Sequence, residues 1–294
     1  GVGPSLLSWI PRVFLPHTKV VSTFHCIDRY HQKWSWFAKM FLMLGERAAC
    51  TFPHITIVVS RGIKNYCLNE YKREAVYIPN GARKISNSDI GLLKQYGLQE
   101  KKYVAMISRL VPHKGVHYLI AAWQKIKKIK PALISDYKLL IVGDSAFTDS
   151  YVAELKKFAR KDTDIVFTGW VQGKTVDTLF KETALLVHPS ENEGLPLTVL
   201  SGMAAGVPVL VSNIAEHLEL IEDKNFIFTN TDVDDLAQKI INILENPALQ
   251  EVASITNKKR AQEFYSWEKI GEQTEKTYRA LFPEKIKDAV TKIA

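Results

Sequence analysis

Ser190-Glu-Asn-Glu-Gly-Leu-Pro-Leu-Thr-Val-Leu-Ser-Gly-Met-Ala-Ala-Gly-Val-Pro-Val209 is the stretch whose reading decides the fold. It follows an apolar run, Ala184-Leu185-Leu186-Val187-His188-Pro189, that reads as a buried strand. Gly194 and Pro196 turn the chain into an apolar-periodic segment in which Leu197, Leu200 and Ala204 share one helical face. Gly206 and Pro208 stop that helix before a second strand, Val209-Leu210-Val211. The turn therefore sets Glu193 beside a helix N-terminus. Unpaired backbone NH groups and a positive dipole end favour anions there, and a carboxylate beside them can accept hydrogen bonds from ligand hydroxyls.

The same alternation extends in both directions. Upstream, strands are predicted at Val20 to Phe24, Ile55 to Ser60 and Val76 to Ile78, with helices over Trp34 to Ala49 and Gly62 to Tyr71. Downstream, strands are predicted at Tyr103 to Ile107, Lys138 to Val142, Ile165 to Thr168, Ala184 to His188, Val209 to Val211 and Phe226 to Phe228. Helices over Val233 to Leu244, Ala248 to Phe264 and Trp267 to Phe282 close the chain. The strands are near-continuous apolar runs, as parallel strands covered on both faces must be, so the fold class is α/β with doubly wound sheets. Pro79-Asn80-Gly81 and the polar Arg83 to Asp89 segment mark a linker. The first three strands are too few for a complete domain, and Gly1 opens with neither Met nor a basic leader. The expectation is a fragment whose first domain lacks its opening strands.

Composition excludes several classes of function. At 46% hydrophobic and 24% charged, the chain has the make-up of a globular protein. No apolar run is long enough to span a bilayer. Cys26, Cys50 and Cys67 are odd in number and lack Cys-x-x-Cys spacing, which fits a reduced, cytoplasmic location. The net charge of +8 is concentrated early. Up to Glu70, the bases Arg12, Lys19, Arg29, Lys33, Lys39, Arg47, Arg61 and Lys64 face only Asp28, Glu46 and Glu70. Such a surface suits an anionic partner, but no nucleic-acid reading motif is present. Lys125, Lys127, Lys128 and Lys130 read as a solvated helix face. Trp36, Met40, Leu44 and Ala48 form a helical stripe flanked by Phe37 and Phe41. Core packing is the favoured reading of that stripe, and a face against an anionic membrane is the other.

Candidate chemistry gathers at strand ends, where open parallel sheets bind ligands. The strand ending at Ile107 runs into Ser108-Arg109-Leu110-Val111-Pro112-His113-Lys114-Gly115, and Gly115 opens a helix. Arg109 and Lys114 suit a diphosphate, because Arg forks onto two oxygens and Lys adds a compact charge. A salt-bridged surface loop is the competing reading. Glu193, delivered by another strand to the same edge, favours the first.

Arg109-Leu110-Val111-x-x-Lys114-Gly115, Glu193-Gly-Leu-Pro, Met203-Ala-Ala-Gly-Val-Pro-Val and Ile78-Pro-Asn-Gly together resemble the retaining glycosyltransferase family 4, whose fold is GT-B. The resemblance covers nearly the whole chain. It implies two Rossmann-like domains facing across a cleft, with residues 1–82 the back part of an acceptor-side domain and 83–100 the linker and domain start. Residues 101–266 would form the nucleotide-sugar domain, and 267–294 a terminal helix crossing back. It implies that Arg109 and Lys114 neutralise the donor diphosphate as the sugar leaves, which is electrostatic catalysis. Glu193 would accept hydrogen bonds from sugar hydroxyls, with Gly194, Leu195, Pro196 and Leu197 holding sugar and phosphate through the turn backbone. The loop Gly169-Trp170-Val171 resembles the family's nucleobase loop, where backbone groups of Gly169 and Val171 would do the reading, while Trp170 reads more readily as packing. His25, at a strand end, matches a histidine that faces the transferred sugar; a structural histidine is the alternative. No metal or other cofactor is implied. The implied partners are a nucleotide-sugar donor and a glycan or lipid-linked acceptor in cell-surface polysaccharide or glycolipid synthesis, with action in the cytoplasm or at the inner face of the membrane.

One position departs from the pattern. The family carries a second glutamate eight residues beyond the first, gripping the donor ribose, and here that position is Ser201. A lost charge-assisted hydrogen bond costs roughly 1.5 to 3 kcal/mol, so weaker donor binding, a changed base preference or a non-catalytic relative are all open readings.

Overall fold

The computed structural model describes residues 2–30 and 35–282. Lys33 and Trp34, and the 283–294 end of the expected terminal helix, lie outside the described residues. The strands are β1 (Val21–Phe24), β2 (Ile55–Val58), β3 (Val76–Tyr77), β4 (Tyr103–Ile107), β5 (Lys138–Val142), β6 (Ile165–Gly169), β7 (Leu185–His188), β8 (Val209–Ser212) and β9 (Ile227–Phe228). The first helices are α1 (Trp9–Phe14), α2 (Trp36–Thr51), α3 (Arg61–Tyr71), α4 (Val116–Ile129), α5 (Pro131–Ile134) and α6 (Asp149–Phe158). They are followed by α7 (Gly173–Lys181), α8 (Leu197–Ala205), α9 (Ala215–Leu218), α10 (Val233–Leu244), α11 (Pro247–Phe264) and α12 (Trp267–Arg279).

Two compact units emerge. The first comprises Gly1–Gly81, Glu193–Leu195 and the chain from Tyr265 onward; the second comprises Ala82–Asn192 and Pro196–Phe264.

The first unit is built on a parallel three-stranded sheet, β1-β2-β3, in register from Val21 opposite Ile55 to Phe24 opposite Val58. Its β-branched residues pack against α12, where Ile270 joins Ile57 and Ile78, with Val21 and Ile55 alongside. Gly81 makes room for this helix, because a Cβ there would fall 2.4 Å from the Trp267 ring. Ser60 caps α3 by accepting the Ile63 NH at 3.2 Å.

Helix α2 corrects one expectation. Trp36, Phe37, Met40, Phe41 and Leu44 are all exposed, Phe37 to 72%, so of the aromatic stripe and its flanks only Ala48 is buried. The buried residues are Gly45, Glu46, Ala48, Ala49 and Cys50 in the second half of the helix. Periodicity locates the helix, but the packed face lies in its second half, where small side chains permit close approach around the buried Glu46.

The second unit is a parallel six-stranded sheet in the order β6-β5-β4-β7-β8-β9. Counted within the unit this is 3-2-1-4-5-6, the Rossmann order, with its switch point between β4 and β7. Both strands are buried along their whole length. Beneath the sheet Trp123 is fully buried, its indole NH donating to Asp164 at 2.7 Å. Three lysines of the basic run that ends α4 are paired, Lys127 with Asp162 and Asp164, Lys125 with Asp234, and Lys130 with Glu245, while Lys128 is exposed. The segment after Gly81 docks on α7, where buried Asp177 takes Arg83 and both the NH and the hydroxyl of Ser86.

Helix α8 brings a second correction. Val199, Leu200, Ser201, Gly202 and Met203 are buried, whereas Leu197, expected on the packed face, is 56% exposed in the first turn. A helix covered on nearly every side has no single apolar stripe from which to read its orientation.

Candidate functional site

Two loops leave the switch point of the second unit side by side. The first continues β4 through Ser108 and exposed Arg109 into a 3-10 turn, Pro112–Lys114, that ends at Gly115, the N-cap of α4. Lys114 is buried. Gly115 has φ 72°, and a Cβ on it would lie 2.1 Å from the Pro189 carbonyl oxygen. Only glycine permits that approach of the first loop to the second.

The second loop, after β7, is laced to the first by its backbone. The Glu191 NH donates to the His113 carbonyl at 2.8 Å. The Ser190 hydroxyl shares its hydrogen between the carbonyls of His113, at 3.1 Å, and Asn192, at 3.2 Å. The Tyr118 hydroxyl, in the first turn of α4, donates to the Glu191 carboxylate at 3.1 Å. At the start of α8, the Thr198 hydroxyl donates to the Ile107 carbonyl at 3.0 Å, fastening the helix to the end of β4. The N-terminal ends of α4 and α8 thus border the same switch point, the Gly115 NH itself donating to the Pro112 carbonyl at 2.9 Å.

The remaining predicted residues of this unit have distinct settings. Gly169 ends β6 with φ 70°, and its carbonyl accepts the Gly143 NH at 3.0 Å. Val171 is half-buried. Trp170 between them is 68% exposed, so the packing reading of that side chain does not hold: the turn throws the indole outward. Pro196 is the buried N-cap of α8. Ser201 is 5% exposed, and its hydroxyl donates to the Leu197 carbonyl one turn earlier, at 2.7 Å.

His25, Glu193, Gly194 and Leu195 belong to the first unit. His25 follows β1 and is exposed. Partial desolvation nonetheless holds its imidazole below the ordinary pKa, while the Asp28 carboxylate acts in the opposite sense. Gly194 lies directly on this strand end, because a Cβ there would stand 1.7 Å from the His25 carbonyl oxygen. The Leu195 carbonyl accepts the Asn80 side-chain NH at 3.0 Å. Asn80 enters the sequence reading only within the Ile78-Pro-Asn-Gly motif, and Tyr118, Glu191 and Thr198 carry no role in it. Asn80 sits inside the Pro79-Asn80-Gly81 punctuation and Glu191 two residues before Glu193, but their partners are tertiary and leave no periodic trace.

In the second unit, His188 and His217 stand edge to face, ring centroids 5.3 Å apart, and the Nδ1 of His217 contacts the Ser212 hydroxyl and carbonyl at 3.0 Å. No helix among the described residues is long and apolar enough to cross a membrane.

Residues 92–260 match the family model of glycosyl transferases group 1. An uncharacterized glycosyltransferase of Methanocaldococcus jannaschii is 31% identical over 193 residues, 65% of this chain and 48% of that protein. The O-antigen chain mannosyltransferase B of Escherichia coli is 27% identical over 190 residues, 65% of this chain and 49% of its own length. The matches thus span about half the length of these two relatives. Among solved structures, Anabaena Alr3699/HepE in complex with UDP and glucose superposes with a TM-score of 0.79 at 23% identity, covering 94% of this chain and 74% of that one. That likeness gives the fold as GT-B. With a Rossmann-ordered sheet whose switch-point loops fall inside the matched region, the chain belongs to the glycosyl transferases group 1 family.

Proposed function

We propose that this chain forms the donor-binding part, and some of the acceptor side, of a glycosyltransferase. The enzyme moves a sugar from a nucleotide-sugar to a glycan or lipid-linked acceptor, with retention of configuration, in cell-surface polysaccharide or glycolipid synthesis. The observation that carries the reading is the pair of interlocked loops at the switch point, one bearing Arg109 and Lys114 and the other leading to Glu193. A nucleotide diphosphate suits such a place, since helix N-termini and two cations offset its charge. The mannosyltransferase relative and the UDP complex of the Anabaena protein support a nucleotide-sugar donor.

In the proposed reaction the bond from the anomeric carbon to the diphosphate breaks, and the acceptor oxygen bonds to that carbon on the same face. The acceptor proton passes to the departing phosphate. Arg109 and Lys114 stabilise the charge that builds on the diphosphate, so no metal is required. Glu193 accepts hydrogen bonds from the sugar hydroxyls, His25 faces the transferred sugar, and Gly169 and Val171 border the base. Donor hydrolysis or transfer by the intact protein should fall steeply in Arg109→Ala and in Glu193→Ala and be indifferent to EDTA. Wild-type rates in both variants would refute the proposal.

A second reading, a non-catalytic relative that binds a sugar nucleotide or a partner enzyme, is favoured by one observation. Ser201 stands where the family carries a carboxylate, and its hydroxyl hydrogen is spent on Leu197. Donor binding by calorimetry without turnover over a panel of acceptors would support it; any turnover excludes it.

Peripheral contact with an anionic membrane, on the cytoplasmic side, is a separate proposal. The exposed Trp36, Phe37 and Phe41 on α2, with exposed Lys39 among them, support it. Liposome flotation that ignores anionic lipid content would count against it.

A further inference from the structure

The first unit holds a buried carboxyl group that the proposed reaction does not use. Glu46, on the packed face of α2, has no solvent exposure. Its Oε2 accepts the hydroxyls of Tyr66 at 2.7 Å and Tyr71 at 2.9 Å, both on α3, and lies 3.4 Å from the Nε of Arg29. The Arg29 guanidinium also stacks over the Tyr66 ring, 5.5 Å from its centroid. That ring in turn meets Phe24, the last residue of β1, edge to face at 6.3 Å. The other carboxyl oxygen of Glu46 is buried without a hydrogen-bond partner among the described residues.

Such an arrangement is a poor way to gain stability. Burying a carboxylate costs several kcal/mol, and well-packed apolar residues in place of a buried ion pair are often neutral or stabilising. What the network does achieve is geometric. Arg29 lies in the 3-10 turn Asp28–Tyr30, four residues beyond His25, and Glu46 fastens that turn to the helices behind β1. The strand end is thereby held at two points, by Phe24 against Tyr66 and by Arg29 against Glu46, with His25 between them.

We propose that Glu46 is a positioning residue for His25, acting through Arg29 to fix the His25–Arg29 turn. The proposal rests on the reading of His25 as the group that faces the transferred sugar. Its reach is the chemical step and not capture of the diphosphate, because Arg109 and Lys114 belong to the other unit.

The test uses the intact protein. Glu46→Gln keeps the side-chain shape and an oxygen for the tyrosine hydroxyls but removes the charge that holds Arg29. Arg29→Met removes the same tether from the other end. Each substitution is made alone and in a His25→Ala background, with kcat and donor KM read from donor hydrolysis and amide hydrogen exchange read over residues 25–30. Displacing a reacting group by about an ångström costs up to a hundredfold, so each single variant should lower kcat by about tenfold to a hundredfold with a much smaller change in donor KM. Neither should lower it further once His25 is gone, and exchange should quicken over 25–30 while α2 and α3 keep their protection. Equal losses of kcat with and without His25, or exchange that quickens across α2 and α3 and not in the turn, would overturn the proposal in favour of a purely structural role. A wild-type rate in His25→Ala would instead refute the reading of His25. The exchange data would then still decide whether Glu46 holds the turn.

Discussion

Gly194 lies against the carbonyl of His25 so closely that a β-carbon on it would stand 1.7 Å from the oxygen. These residues are far apart in the chain, one at a strand end and the other in an acidic turn. Their contact is backbone against backbone, so no side-chain adjustment relieves a substitution. Gly194→Ala should lower the stability of the first unit by about 1–3 kcal/mol, the usual cost of overpacking, and reduce donor hydrolysis with it. Thermal melting and initial rates test this. A variant that melts and turns over like the wild type would show that the loop is free to retreat from His25.

Gly115 makes the corresponding approach in the second unit, with φ 72° and a virtual β-carbon 2.1 Å from the Pro189 carbonyl. Here strain and clash combine. A non-glycine residue held in the left-handed region costs of order 1–3 kcal/mol before any collision is counted. Gly115→Ala should therefore push the two switch-point loops apart and weaken nucleotide diphosphate binding, read by calorimetry, more than it lowers the melting temperature. Unchanged affinity would mean that the spacing of these loops does not set the anion site.

Much of this organisation is legible in the sequence, for a physical reason. Strand β4 begins and ends where the apolar run Tyr103 to Ile107 does, because a strand buried on both faces has no polar position to blur its ends, and β5 keeps its expected bounds although it opens on half-buried Lys138. Helix α10 likewise keeps the bounds its periodicity predicts, its N-cap Asp232 accepting the NH groups of Asp234 and Asp235. Orientation is less legible. The aromatic half of α2 is exposed, Leu197 is exposed at the head of a buried helix, and Trp170 stands in solvent. In each case hydrophobic character was the guide, and the packed face was chosen instead by small residues or by backbone direction. Partnerships such as Tyr118 with Glu191 or Asn80 with Leu195 depend on which strands become neighbours, and one-dimensional spacing does not carry that information.

His117 gives the second unit a pH dependence of definite sign. Its ring, facing Tyr118, Tyr151 and Glu191, has Nδ1 2.8 Å from the Tyr151 hydroxyl. Burial pulls its pKa below the ordinary 6.5, an effect that Glu191 partly opposes. The folded state thus prefers the neutral ring, and the unfolded chain binds more protons between the two pKa values. Stability from this group is fully present above about pH 6.5 and is lost as the pH falls toward the folded pKa. Denaturant melts of wild type and His117→Gln from neutral to mildly acidic pH should diverge in that direction, with the variant showing the flatter profile. Parallel profiles would remove His117 as the source.

Ser201 is where the proposed donor site can be altered most informatively. Its hydroxyl hydrogen goes to the Leu197 carbonyl at 2.7 Å, which leaves the oxygen able only to accept. A ribose hydroxyl could use that lone pair, but one neutral hydrogen bond is worth only about 0.5–1.5 kcal/mol net, so Ser201→Ala should weaken donor binding by about tenfold at most. Ser201→Glu asks the opposite question. If the position faces the ribose, a carboxylate reaching out of the helix should recover the charge-assisted contact and tighten donor binding by roughly 1.5 to 3 kcal/mol, tenfold or more. The neighbouring turn offers no other refuge for the longer side chain, since even a β-carbon on Gly202 would come within 2.4 Å of Leu186. A variant that instead melts early and binds donor more weakly would show Ser201 turned into the packed side of α8, with the ribose held by other groups.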